Sequence, residues 1–260
     1  MNPYLINFEN FKVNSQIFCT LIGLFSFCYL IVFLGKKSRL RLQFFLDHMA
    51  GLLIWGLIFG RIFTVVSNYQ IYFAGLDWQS VYKLVAIWMD KELSILGFVF
   101  GVFIFMKRQT YLYQELFARW ADVLSIASLA LLGFFNIGAF LYGSNYGRLT
   151  DSFFGVTFNS SVVKYTSAVY PTQILATVYC FGIAAWCYNL FQKYRNKHDG
   201  YIFLQAGFLF FSFRTLESFF RGDDTIYLFE LIRMPGILSA ILAYIFFHAN
   251  VKYEKKQKIS

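Results

Sequence analysis

Residues 18–35 read F-C-T-L-I-G-L-F-S-F-C-Y-L-I-V-F-L-G, a run without a single charge. A helix rises ~1.5 Å per residue, so about 18 such residues approach the ~30 Å hydrocarbon thickness of a bilayer. Runs of this kind recur along the chain. Charged residues make up 14% of its 260 residues and hydrophobic ones 58%, whereas a soluble domain carries about 25% charged residues. Composition therefore predicts an all-α polytopic membrane protein. The segment ahead of the first run, MNPYLINFENFKVNSQ, holds one lysine, and no small-x-small site follows the run. That is unlike a cleaved leader, and the run is expected to stay as the first transmembrane helix.

Hydrophobic patterning places helices near 18–35, 44–66, 93–106, 120–142, 171–191, 201–220 and 226–249, seven spans in one membrane domain covering residues 1–260. The third is short, and its start is open to extension toward Trp88. Between the second and third spans, residues 67–92 carry Tyr69, Tyr72, Trp78, Tyr82 and Trp88, residue types suited to the membrane–water boundary. Residues 143–170 form the other long polar excursion.

Lysine and arginine alternate in abundance from loop to loop. Lys36, Lys37, Arg39 and Arg41, then Lys107, Arg108 and Arg119, then Lys193, Arg195 and Lys197, and finally Lys252, Lys255, Lys256 and Lys258 fall on one side. The opposite side has Lys12, Lys83, Lys91, Arg148, Lys164 and Arg221. The positive-inside rule then predicts an outside N-terminus and a cytoplasmic C-terminus, with 67–92 and 143–170 as extracytoplasmic segments. The formal net charge of +9 is accounted for by these loops and implies no nucleic-acid partner. The cysteines Cys19, Cys28, Cys180 and Cys187 all sit in apolar runs without metal-type spacing and read as small core residues.

Three further cations fall within predicted helices: Arg61, Arg214 and Arg233. Each is expected about 8–10 Å below the outer surface, where a lipid-facing arginine costs about 2.5–3.5 kcal/mol. Two arrangements relieve that cost. Glu217 follows Arg214 by three residues and Glu230 precedes Arg233 by three, so each pair shares a helix face. Alternatively, Arg61, Arg148 and Arg214 converge on one cavity and hold a lipid phosphate, which the guanidinium fork matches. Asp122 opens the fourth predicted helix, where the helix dipole favours an acid. His48, His198 and His248 all fall toward the cytoplasmic side, and no metal or cofactor is implied.

The segment G147-R148-L-T150-D151-S-F-F154-G155-V156-T-F158 resembles the head motif of the prolipoprotein diacylglyceryl transferases. Other segments follow in the family's order: Gly60-Arg61, Asp122, Pro171-Thr172-Gln173 and R214-T-L-E217-S-F219-F220-R221. The resemblance spans most of the chain and implies a multi-pass enzyme of the bacterial cytoplasmic membrane. Its donor would be phosphatidylglycerol or a similar anionic lipid, and its acceptor the lipobox cysteine that follows a prolipoprotein signal peptide. It further implies Arg148 and Arg214 as phosphate clamps with Arg61 in support. Gln173 would orient the headgroup, and Ser144 and Asn136 would line the site.

The chain differs from the family's thirteen-residue signature, reading N136-I-G-A139-F-L-Y142-G-S144-N-Y-G-R148. Asn136 stands for an arginine, Ala139 for an asparagine and Ser144 for a glutamate. Leu96 and Tyr170 occupy histidine positions, Phe210 a tyrosine position, and Glu217 stands one residue earlier than the family's late glutamate. The member is diverged. Tyr170 is left as the candidate base, although an unperturbed phenol with pKa of about 10 is poorly poised for proton transfer at neutral pH. The rival reading is a catalytically degenerate lipid-binding or accessory protein on the same scaffold. A small transporter is disfavoured by the lack of an inverted repeat.

Overall fold

The computed structural model describes residues 4–8, 11–67, 94–158, 167–194, 199–222, 227–228 and 232–259. Seven helices lie among them: α1 (Ser15–Lys37), α2 (Leu42–Ser67), α3 (Ile95–Leu112), α4 (Phe117–Tyr142), α5 (Thr172–Tyr194), α6 (Tyr201–Ser218) and α7 (Met234–Ile259). Five contain stretches long and apolar enough to cross a membrane: Ser15–Lys37, Leu42–Val66, Phe117–Tyr142, Thr172–Tyr194 and Pro235–Lys255. The helices α3 and α6 have 18 residues each, about 27 Å at the α-helical rise. Two short antiparallel hairpins accompany them, β1 (Tyr4–Phe8) with β2 (Phe11–Asn14) and β3 (Tyr227–Leu228) with β4 (Ile232–Arg233). The interfacial aromatics expected between 67 and 92 lie outside the described residues, as do Glu230, Lys164 and His198.

Two compact units make up the chain. One comprises residues Met1–Leu40 and Ala118–Ser260, the other Arg41–Phe117. In the smaller unit α2 and α3 are joined by aromatic contacts, with ring centroids of Phe59 and Phe100 5.8 Å apart and of Trp55 and Phe105 5.9 Å apart. The Thr64 hydroxyl accepts from Ser94 N at 2.8 Å, and the Ser94 hydroxyl in turn accepts from Gly97 N, capping α3.

In the larger unit, Asn14 caps α1 by accepting from Gln16 N at 2.8 Å, and α1 lies close along α4 where Cys19 and Gln16 meet Gly138. The rings of Phe134 and Phe181 join α4 to α5 at 5.3 Å. Tyr179 stacks on Phe213 at 5.7 Å between α5 and α6, and Phe203 meets Phe246 at 5.3 Å between α6 and α7. Cys19, Cys180 and Cys187 are buried as expected, whereas Cys28 is exposed.

Two expectations change. The seventh helix begins at Met234, eight residues later than its predicted start, and Arg233 belongs to β4 rather than to a helix. Pro235 explains this: without an N–H and with its ring crowding the preceding turn, proline is accommodated in a first helical turn and breaks an interior one. Asp122 does not open a helix either, because α4 starts at Phe117. Its carboxylate instead accepts from Gly200 N at 2.8 Å and Phe203 N at 2.7 Å, capping α6 from the side. The N-cap residue of α6 is Gly200, which has no side chain to do so.

Candidate active site

The site grows from the way α4 ends. Gly143 adopts φ 87°, a left-handed conformation open to glycine, and both Gly143 N and Ser144 N donate to Ala139 O at 2.9 Å. Asn145 follows with φ 58°, a value that asparagine tolerates better than most residues. Two residues of the start of α5 then secure the turn. Thr172 Oγ1 donates to Asn145 O at 2.8 Å, and Gln173 Nε2 donates to Ser144 O at 2.7 Å.

Beyond the turn, Gly147-Arg148 runs between the approach to α5 and the end of α6. Gly147 N donates to Tyr170 O at 2.9 Å, Tyr170 N to Arg148 O at 3.0 Å, and Arg148 N to Phe220 O at 2.8 Å. A Cβ on Gly147 would lie 2.6 Å from Tyr170 Cβ and 2.7 Å from Phe220 O. The glycine of the Gly-Arg motif is thus a packing requirement. Gly147→Ala is expected to destabilise the protein by about 1–3 kcal/mol, the usual cost of overpacking, as a lowered thermal midpoint in detergent.

At the end of α6 a buried carboxylate joins two arginines. Glu217, 2% exposed, accepts from Arg214 Nη1 at 2.7 Å and from Arg221 Nη1 at 3.2 Å on one oxygen, and from the Tyr179 hydroxyl at 2.7 Å on the other. Arg221 Nη2 also donates to Asn145 Oδ1 at 3.1 Å, and Arg148 Nε donates to Arg221 O at 3.2 Å. One chain of hydrogen bonds therefore links Arg148 on the head segment to Arg214 in α6. Among the described residues, these bonds set three guanidinium groups against one carboxylate, a formal charge of +2 for these four side chains.

The arginines differ in accessibility. The Arg221 side chain is 11% exposed and that of Arg214 33% exposed, while Arg148 is exposed. Arg221 is thus the inner brace, and Arg214 and Arg148 are the more accessible of the three. The i,i+3 pairing of Arg214 with Glu217 is realised, and it coexists with a cationic surplus. By sequence Arg221 reads as a loop cation, though its i,i+4 spacing from Glu217 is a usable signal. Tyr179 and Asn145 were missed altogether.

The remaining expected residues are placed as follows. Gln173 is 1% exposed, and among the described residues its Oε1 has no hydrogen-bond partner. The Ser144 hydroxyl donates to Gln16 Oε1 at 3.1 Å, and Asn136 Nδ2 donates to Leu132 O of its own helix at 2.8 Å. Tyr170 is half-buried with its ring edge-on to Phe220 at 5.4 Å. Arg61 lies in α2, in the smaller unit, and is 5% exposed.

A sequence model of the prolipoprotein diacylglyceryl transferase family matches residues 3–251. The chain is 26% identical over 274 residues to the phosphatidylglycerol–prolipoprotein diacylglyceryl transferase of Campylobacter hominis, covering 99% of this chain and 92% of that protein. Against the enzyme of the same name from Clostridium tetani it is 24% identical, covering 86% of each. Against that of Rickettsia canadensis it is 25% identical, covering 92% of each. With a match running nearly end to end over a multi-pass helical membrane protein, this chain belongs to the prolipoprotein diacylglyceryl transferase family.

Proposed function

We propose that the protein transfers the diacylglyceryl group of phosphatidylglycerol to the lipobox cysteine of prolipoproteins in the bacterial cytoplasmic membrane. The supporting observation is the linked cluster of Arg148, Arg221, Glu217 and Arg214. In this reading the membrane domain comprises seven spans with an outside N-terminus, and the cluster lies at the outer leaflet.

The reaction places its demands on an anion. The thiolate sulfur of the acceptor cysteine attacks the glyceryl carbon that carries the phosphate ester. A carbon–sulfur bond forms, the carbon–oxygen bond breaks, and the electron pair leaves on glycerol phosphate. Negative charge grows on the departing oxygen, and guanidinium donors held in place before the reaction stabilise it without reorganising. Arg214 and Arg148 are the phosphate clamps of this proposal, with Arg61 in support. Arg221 and Glu217 set the angle of Arg214, and Gln173 and Ser144 hold the turn that carries Arg148. Ser144 and Asn136 line the site, Gln173 orients the headgroup, and Tyr170 is the candidate base.

The proton is the remaining requirement. Among the residues placed near the cluster none is a histidine, so the acceptor is expected to supply its own thiolate. A free thiol with pKa of about 8.5 is ionised to about 3% at pH 7. The transfer rate should therefore rise about tenfold per pH unit below that pKa, where chemistry limits the rate. The test is purified protein with phosphatidylglycerol vesicles and a prolipoprotein, with thioether formation read by mass spectrometry. Loss of transfer in Tyr170→Phe with lipid binding intact would instead make Tyr170 the base. Lipid binding without any thioether between pH 6 and 9 would overturn the transferase reading in favour of an accessory lipid-binding protein.

A further inference from the structure

The head segment ends in a tight turn, Ser152-Phe153-Phe154-Gly155, closed by a hydrogen bond from Gly155 N to Ser152 O at 2.8 Å. Ser152 N also donates to Thr150 Oγ1 at 3.0 Å. The base is tied down as well. Thr150 N donates to Ala168 O at 2.9 Å, and Val156 and Val169 exchange a reciprocal pair of backbone bonds at 3.0 and 3.1 Å. The turn is thus held on its stem rather than trailing as a loose loop. At its tip Phe153 is 95% exposed and Phe154 72% exposed, their rings edge to face at 5.5 Å.

Exposed loop tips are ordinarily polar, and each phenylalanine carries about 150–250 Å² of surface that water penalises. The tip is also not alone. Leu216 and Phe219 at the end of α6, Phe220, and Leu149 are about half exposed or more. Phe220 O accepts from Arg148 N, so the apolar line passes from α6 directly onto the head segment beside Leu149. Val169, the partner of Val156 two residues past Phe154, lies three residues before the membrane-long helix α5. That short chain distance keeps the tip within about 20 Å of the start of α5.

We infer that the Phe153–Phe154 turn is an anchor that dips into the membrane–water interface beside the cluster of Arg148 and Arg214. A convex tip of two rings fits a lipid surface. It offers no groove for an apolar peptide helix, which needs a concave partner. Phenylalanine is at home at the acyl boundary, and an exposed cation such as Arg148 beside it suits the anionic headgroup layer just above. The anchor would hold the head segment against the leaflet from which a lipid substrate is drawn. It requires no turnover and so stands or falls separately from the transferase reading.

Site-directed spin labelling tests this. In a Cys28→Ser background the other native cysteines are buried, and a nitroxide is placed by Phe154→Cys, or by Phe153→Cys as a second variant. Phe25→Cys, exposed midway along α1, and Lys252→Cys near the end of α7 give reference positions. The full chain is reconstituted in vesicles containing phosphatidylglycerol. The expected result is a ratio of collisions with oxygen to collisions with a water-soluble nickel chelate several-fold above that at Lys252 and below that at Phe25. A ratio at both tip positions equal to that at Lys252 overturns the inference. Protection that appears only when a prolipoprotein peptide is added overturns it in favour of peptide docking.

Discussion

Glu217→Ala is expected to lower stability by about 3–5 kcal/mol, the cost of leaving buried charges without their partner, and to abolish transfer. The side chain is 2% exposed and accepts from Arg214, Arg221 and Tyr179 together. Removing it takes the shared carboxylate from two neighbouring guanidinium groups and the acceptor from a buried phenol. Glu217→Gln keeps the shape and one acceptor oxygen but loses the charge, so an intermediate fall is expected. The check is thermal unfolding in detergent together with a cycle of Glu217→Gln, Arg221→Gln and the double variant. Residues in one network couple by about 0.5–3 kcal/mol. Strict additivity would show that Arg221 and the carboxylate do not act as one network.

The second large effect is on chemistry. Arg214→Ala is expected to slow transfer by about 10²–10³-fold, the scale on which loss of one preorganised donor to a developing oxyanion is felt. Its guanidinium is paired with Glu217 at 2.7 Å yet one-third exposed, so it is both held and reachable. A group that acts on the leaving phosphate should show its loss in kcat with KM little changed, whereas a group that only binds the ground-state lipid raises KM. Arg214→Lys keeps the charge without the fork and should recover part of the rate. A pure KM effect in Arg214→Ala, with kcat intact, would remove this residue from the reaction and leave it as a lipid-binding contact.

Much of the fold was legible because membrane helices advertise themselves. A backbone in hydrocarbon must satisfy its own polar groups, so a long uncharged run has few alternatives to a helix. The runs of α1, α2, α4 and α5 were placed within about three residues of their observed ends, the margin expected of helix boundaries. The start of α7 was misplaced because hydrophobicity outweighed Pro235 in the reading. The β3–β4 hairpin is invisible for a related reason: a two-residue strand such as Tyr227–Leu228 has too few positions to show an alternating pattern.

The amino-acid sequence by itself determined the membrane class of the chain, its apolar helices, the Gly147-Arg148 head motif and the i,i+3 spacing that made a pairing of Arg214 with Glu217 one of two options. Those features are local or compositional, so nearby residues suffice to specify them. Only the tertiary structure decided that Tyr179, 38 positions from Glu217 in sequence, completes the buried carboxylate, and that Asn145, 76 from Arg221, receives it. It likewise decided that Asp122 caps a helix whose first residue lies far along the chain. A hydrogen-bonding side chain has no period and no preferred sequence distance to its partner. Which donor reaches a buried acceptor depends on how the helices pack, and here the close passage of Gly147 against Tyr170 and Phe220 brings the ends of α4, α5 and α6 to one place.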